Sequence, residues 1–291
     1  MDANSLLMNR FKMQCNKFSG TISKGLGVIK KRLVKEMIFG IQASKDVKLS
    51  NISRSLKEDI PLIKTEDRLS RNLASEDISE HLNKEIMRLA SNKIDDTMVI
   101  AIDPGDIMKP YAKEMEKLCN IYDGSQGTPA RGYHLCQVTG ANLAHDRIVP
   151  LYCEAYSSED PGYPGSSEKI IEIVQKVKSK IGSKGTWAID RQGDDIDIIR
   201  GFTNEELDFV VRLKMNRYMH FGGNTNRQVK AERVHHHVNT PHKAHIYITK
   251  DGKEEFMHLE YGAVKVALPN ILIPGTPLLL LRVLERSRCC C

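Results

Sequence analysis

Long apolar runs are missing from this 291-residue chain, and none approaches the roughly 20 residues that a membrane-spanning helix requires. The opening "MDANSLLMNRFKMQCNKFSG" has neither the apolar stretch nor the cleavage site of a secretory leader, so no leader is expected. Cysteine is sparse: there are seven, none in a CxxC pair, and Cys15, Cys119, Cys136 and Cys153 are scattered. That usage argues for reduced thiols of a cytoplasm and against a disulfide framework. There is no internal repeat. With 41% hydrophobic and 27% charged residues, the composition is that of a globular protein with one large core, or one core and an appendage.

Charge is unevenly spread. Residues 1–94 hold 18 Lys and Arg against 11 Asp and Glu, whereas the remainder holds 25 against 26. The whole basic excess therefore lies in the first third, as expected for a part that binds a polyanion, nucleic acid being the commonest. A basic solvated helix face would produce the same count.

The stretch 20–94 has helical spacing. Ile29, Leu33, Met37 and Ile41 fall on one face with Gly40 as a stop, and Ile78, Leu82, Ile86 and Leu89 fall on another. Short helices separated by basic residues fit a small DNA-binding bundle, and equally a plain helical appendage. From residue 97 the texture changes. "TMVIAID", "RGYHLCQVTGAN" and "RIVPLYCEAYS" read as three strands, followed by a helix from Ser166 or Ser167 to Gly182. The strand "GTWAID", the helix "DDIDIIRGFTNEE" and the strand "LDFVVRLKM" complete a mixed α/β sheet. Beyond it, "KAHIYITK", a turn at Asp251-Gly252 and "EEFMHLEYGAVKVAL" read as a β-hairpin. The expected division is a helical basic region at 1–94, an α/β core at 95–220, a β-rich insertion at 221–270 and an aberrant or truncated tail at 271–291.

Two of the strands end in acid. "MVIAIDPGD" brings Asp103 and Asp106 after an apolar strand, and "TWAIDRQGDD" brings Asp190 followed by Arg191. Taken singly each is a turn or cap, since Asp, Pro and Gly all form turns. Taken together they suggest more. If the two strands are parallel neighbours, Asp103 and Asp190 leave the sheet at one edge, and carboxylates that close repel unless a hard cation such as Mg²⁺ or Mn²⁺ lies between them. Such a pair is the usual base of a metal-dependent phosphoryl-transfer site.

"AIDPGDIMKPYAKEMEKL", "DGSQGTPARGYHL", "IVPLYCEAYSSEDPGYPGSSEKI", "TWAIDRQGDD" and "FVVRLKMNR" resemble, in order and spacing, the Asp-Asp-Glu transposases of bacterial insertion sequences. The resemblance is to the large group with a β-strand insertion in the catalytic core, and "ISRSLKEDIPLIKTEDRLSRNL" is similar to the helical region before that core. It covers roughly residues 50 to 220. It implies a ribonuclease H-like mixed α/β sheet with a β-rich insertion and an N-terminal helical region, Mg²⁺ or Mn²⁺ as cofactor, and cleavage and strand transfer at element ends. The implied partner is double-stranded DNA, of element ends and target, with a homodimer as a further option. The implied setting is a bacterial cytoplasm, at the nucleoid when DNA is bound. By motif position Asp103 is the first catalytic, metal-binding carboxylate and Asp190 the second, with Asp106 the alternate for the first. Arg191 either approaches phosphate or braces Asp190. The family places Gly after the Asp-Arg pair; here Gln192 stands there, with Gly193 one place later.

The family's third acid, a Glu on a helix within a Tyr-Arg-Glu-Lys pattern, has no counterpart. Glu260 in a strand and Glu285 in the short tail are the two alternates. The expectation is therefore a transposase impaired by the missing Glu, with two other readings open: a DNA-binding remnant without catalysis, or a metal-dependent nuclease of the same fold. The histidines of "VHHHVNTPHKAH" (His235, His236, His237, His242, His245) match no common zinc spacing and read as a polar loop or DNA-facing edge. Trp187 reads as core, and Cys289, Cys290 and Cys291 as an incidental tail.

Overall fold

The computed structural model describes residues 3–123, 127–142, 144, 147–221, 228–250, 253–269 and 278–286. Five helices come first: α1 (Ala3–Ile22), α2 (Val28–Ser44), α3 (Leu49–Leu56), α4 (Leu62–Ala74) and α5 (Ser79–Ala90). Next are β1 (Val99–Met108), β2 (Cys119–Asp123), β3 (Thr128–Asn142), β4 (Arg147–Tyr156), α6 (Ser166–Ile181), β5 (Thr186–Ile189), α7 (Ile196–Asn204) and β6 (Phe209–Val211). A second β region holds β7 (Tyr218–Phe221), β8 (Gln228–Lys230), α8 (Ala231–His235), β9 (His242–Lys250), β10 (Lys253–Ala267) and β11 (Leu278–Arg286). The protein is thus mixed α/β, with a helical N-terminal region and a mixed sheet of order β2-β3-β1-β5-β6, in which β4 also pairs with β3. No helix among the described residues is long and apolar enough to cross a membrane.

By contacts the chain forms two compact units: Met1–Ile100 with Pro104–Pro161 and Ile173–Gly185, and Ala101–Asp103 with Gly162–Glu172 and Thr186–Cys291. In the first, Leu33, Ile52 and Leu69 from α2, α3 and α4 make a small core, with Met37, Ile41, Leu49 and Leu56 packed on it. Two expectations about α2 fail. Ile29 is largely exposed, and the helix runs through Gly40 to Ser44. A Cβ on Gly40 would lie 2.4 Å from Ile52 Cγ2, so this glycine permits the α2–α3 approach and does not stop the helix. Above that core Arg32 and Arg68 bridge Glu36 and Glu58 in a closed ring of four contacts of 2.6–2.7 Å. The buried Lys30 ammonium donates to the carbonyls of Asn72 (2.7 Å) and Glu76 (2.9 Å), filling acceptors that the end of α4 leaves open.

The α5 face is rotated by one residue from the expected one. Asn83, Met87 and Ala90 are buried, while Ile78, Leu82, Ile86 and Leu89 are half-buried. The cause is a polar residue with an inward role. Asn83 Nδ2 donates to the Cys153 carbonyl at 2.8 Å, and the Cys153 N–H donates to Asn83 Oδ1 at 3.1 Å. The side-chain amide thereby acts as one rung of a neighbouring strand along the β4 edge.

In the second unit Ile199, Met219, Ala231, Val234, Val238 and Leu268 form a core to which Phe209, Val211, Phe221, Val229, Val264 and Val266 contribute. It joins α7 and β6 to a second sheet of order β11-β10-β7-β8, with β9 also on β10. β7, β8 and α8 occupy sequence whose patterning is too weak to announce them. Residues 278–286, expected to be tail, pair antiparallel with β10 from Val266↔Leu278 to His258↔Arg286. The expected Asp251-Gly252 turn and the three terminal cysteines lie outside the described residues.

Replacing Asn83 by Leu is expected to destabilise the protein by about 1–3 kcal/mol, because two hydrogen bonds to the Cys153 backbone are lost together; chemical denaturation measures it. The ion-pair ring gives a pH signature. Burial raises the Glu58 carboxyl, but hydrogen bonds from Arg68 and Thr65 outweigh it, and the net shift is downward. A lowered folded value means stability that is present above the ordinary Glu range and lost as pH falls through the folded value. Wild-type and Glu58→Gln melting temperatures should therefore differ at pH 7 and converge as pH is lowered past that point.

Candidate functional site

The strand that carries Asp103 does not stop there. β1 continues through Asp103, Pro104, Gly105 and Asp106 to Met108, correcting the expectation of a turn at the strand exit. Its neighbours explain how a proline is tolerated. β5 ends at Ile189, so the far half of β1 has a sheet partner on one side only, and such a strand edge accommodates a missing N–H.

β1 and β5 are hydrogen-bonded neighbours. A Cβ on Gly185 would lie 2.6 Å from the Met98 carbonyl oxygen and 3.2 Å from Ile100 Cγ1, which fixes the level at which β5 begins. From there only a parallel pairing sets residues 186–189 alongside β1; an antiparallel one would lead them back past its start. The parallel register brings Asp190 to the level of Asp103, within about one residue. On both strands the even-handed alternation is the same: Ile100 and Ile102, and Trp187 and Ile189, are buried, so Asp103 and Asp190 share the other face. Adjacent strands lie about 5 Å apart, so the two exposed positions are neighbours on the sheet.

Asp106 is placed differently. By the same alternation it falls on the face of Ile100 and Ile102, and its Oδ1 contacts His134 Nδ1 at 2.8 Å, with the His134 ring 5.5 Å from that of Tyr156. Asp106, His134 and Tyr156 make a row across β1, β3 and β4.

Asp190 caps a 3-10 turn at Arg191–Gly193, its Oδ1 accepting from the Gln192 N–H at 2.9 Å. Arg191 is exposed and makes no ion pair with Asp190 among the described residues. A Cβ on Gly193 would sit 2.2 Å from Ile189 Cγ2, so the turn folds back onto the strand only with glycine there, one position beyond the expected place. The turn is anchored by a residue that sequence reading passed over. Asp194 has a fully buried side chain; its Oδ1 accepts from Arg217 Nε and its Oδ2 from the Lys214 N–H, both at 2.7 Å, while Arg217 Nη2 donates to its carbonyl at 2.5 Å. Asp195 then caps α7, accepting from the Asp197 N–H at 2.8 Å. The cluster "DRQGDD" thus divides its labour: one acid at the sheet edge, one holding the turn, one starting the helix.

A second missed residue is Arg212. β5 and β6 pair in parallel with Ile189 opposite Val211, and the Arg212 N–H donates to the Ile189 carbonyl at 3.3 Å. One step past that rung, Arg212 stands beside Asp190 and on its face. Asp103, Asp190 and Arg212 therefore form a row across three neighbouring parallel strands, two carboxylates followed by a guanidinium. The signal was present in "TWAID" and "FVVR" as strand ends, but only the register aligns them.

Both carboxylates are hard oxygen donors, the type that suits Mg²⁺ or Mn²⁺. No group of three His, Cys, Asp or Glu suited to a metal is found among the described residues. Glu260 lies in β10 opposite Lys243 and Leu284 and does not join the pair in such a group. Glu285 pairs with Leu259 in the strand register of β11.

The chain matches no described protein family. No curated protein matches it. Its backbone is similar to a chain in a cryo-EM structure of a piggyBac transposase synaptic complex with hairpin DNA, at a TM-score of 0.41 and 10% identity, over 94% of this chain and 60% of that one. This chain spans about 60% of that chain's length, and a likeness so slight decides nothing about function.

Breaking the buried Asp194–Arg217 pair should be costly. Arg217→Met is expected to destabilise by about 3–5 kcal/mol, because it strands a buried carboxylate. Arg191→Ala should stay within about 0.5 kcal/mol, as an exposed residue. Urea unfolding of the two variants makes the comparison.

Proposed function

We propose that the chain is a DNA-processing enzyme of the Asp-Asp-Glu transposase class, with Asp103 and Asp190 as metal-holding carboxylates on a ribonuclease H-like core. The observation that carries this reading is the row Asp103–Asp190–Arg212 on one face at the ends of parallel strands. The sheet around it supports the reading. An antiparallel meander (β1, β3, β4) is followed by helix, strand, helix and strand, in the order β4-β3-β1-β5-β6 expected of a ribonuclease H-like fold. The N-terminal helices support a DNA partner: no acidic residue falls between positions 3 and 35, and Arg10, Lys12, Lys17, Lys24, Lys31 and Lys35 are exposed.

In this reading a divalent metal held by Asp103 and Asp190 would supply charge neutralisation at the phosphate and an activated water or 3′-hydroxyl. The protein's own residues do the rest. Arg212 meets a non-bridging phosphate oxygen and sets the backbone against the carboxylates, as a guanidinium suits. Asp194, through Arg217 and Lys214, holds the turn that fixes Asp190. With two carboxylates and no third donor beside them among the described residues, a metal would be loosely held and turnover would be weak. That same shortage favours one alternative, a DNA-binding protein without catalysis.

The test is nicking and joining of plasmid DNA with Mg²⁺ or Mn²⁺, alongside salt-dependent binding to duplex DNA. Weak cleavage is expected, lost by about 100-fold or more in Asp103→Asn and Asp190→Asn, with binding retained in both. Cleavage that survives both substitutions overturns the assignment. Binding with no cleavage by the wild type selects the non-catalytic alternative.

A further inference from the structure

The histidine-rich stretch acquires a partner that its spacing could not disclose. In the β9–β10 hairpin His245 stands directly opposite His258, in a register that runs from Lys253↔Lys250 to Tyr261↔His242. Their rings lie 4.5 Å apart between centroids and 80° from coplanar. Strand alternation sets both on one face, with Tyr247 and Phe256 in the rung on one side and Lys243 and Glu260 in the rung on the other. His245 is exposed and His258 half-buried. Phe256 stacks on His245 at 5.3 Å and meets His258 edge-on at 4.7 Å, so both imidazoles are crowded from one side and have little freedom to swing away.

We propose that the His245–His258 pair on the β9–β10 hairpin is a binding site for a late first-row divalent metal, Cu²⁺, Ni²⁺ or Zn²⁺. Two imidazoles on directly opposed strand positions can place a nitrogen each on one ion, and imidazole is the ligand these ions favour. Hard Mg²⁺ prefers oxygen and does not compete for it. With two protein donors, water fills the remaining positions, so affinity is modest and follows the usual order, Cu²⁺ above Ni²⁺ and Zn²⁺. Bound metal ties β9 to β10 at the rung where His258 also pairs with Arg286 of β11. His242, stacked on Tyr261 at 5.2 Å three residue positions away, is on the opposite face by alternation and takes no part. The site is separate from the carboxylates and stands or falls independently of the proposed DNA chemistry.

The experiment is calorimetric titration of the full chain with Ni²⁺ at pH 7.5, in excess Mg²⁺ to occupy the carboxylates. One site is expected, weakened at least ~10-fold in H245Q and in H258Q, since even outer-shell partners of a metal are worth about 10- to 100-fold. H242Q should leave it unchanged. A second measurement needs no variant: sub-stoichiometric Cu²⁺ should broaden the ring-proton resonances of His245 and His258 before that of His242. No binding by the wild type, binding untouched by H245Q and H258Q, an equal loss in H242Q, or broadening that starts at His242 would each overturn the proposal.

Discussion

The parallel pairing of β1 with β5 is the constraint on which the candidate site depends. Two apolar strands, distant in sequence, lie side by side with matched alternation, and so two aspartates arrive at one level on one face. Neither strand has chemistry alone. Asp103 is then one exposed acid in a strand and Asp190 a turn cap. The pairing also carries the guanidinium: because β6 continues the parallel series, Arg212 lands beside Asp190 in the next rung. Sheet geometry, more than any local motif, supplies the order carboxylate, carboxylate, cation.

Buried polar groups decide where the elements sit. Asn83 turns α5 by one residue from its apolar stripe, because a side-chain amide that satisfies both backbone groups of Cys153 outweighs the small loss from leaving leucine and isoleucine half-covered. Lys30 closes the end of α4 in the same manner. Asp194 does it for the turn at Asp190, with every carboxylate oxygen occupied. In each case a residue that a hydrophobic pattern would assign to solvent is an internal fastener.

Much of the α/β core was legible. The strands around residues 97–103, 131–142, 147–157 and 185–190, and the helix closing at Gly182, follow from period and from turn residues, and α6 indeed ends at Ile181. Four things were not legible, each for a physical reason. α1 has a narrow stripe of half-buried Phe11 and buried Cys15, Ser19 and Ile22, interrupted by the polar Ser19, so its periodicity is faint. Gly40 reads as a breaker locally and is a contact point globally, since Ile52 lies outside any local window. The continuation of β1 through Pro104 and Gly105 depends on which side of the strand has a partner. β7, β8 and α8 are short or irregularly patterned and owe their form to the core around Met219, Val234 and Leu268, while β11 is placed by its pairing with β10. At the site, the type of residue was readable and the alignment was not: Arg212 and the His245–His258 pair emerge only from register.

The β1–β5 contact also has a temporal side. The helices α2, α3 and α4 close over contacts a few tens of residues apart, and β3 meets β4 through a short connection, so these can form while later sequence is still being made. Asp103 and Asp190 are joined by none of those local steps. Their strands meet across the whole meander and α6, and that loop must close before the pairing returns any stability. The carboxylate row therefore assembles after these local elements, and a nascent chain carries its basic helices well before it carries Asp103 and Asp190 side by side.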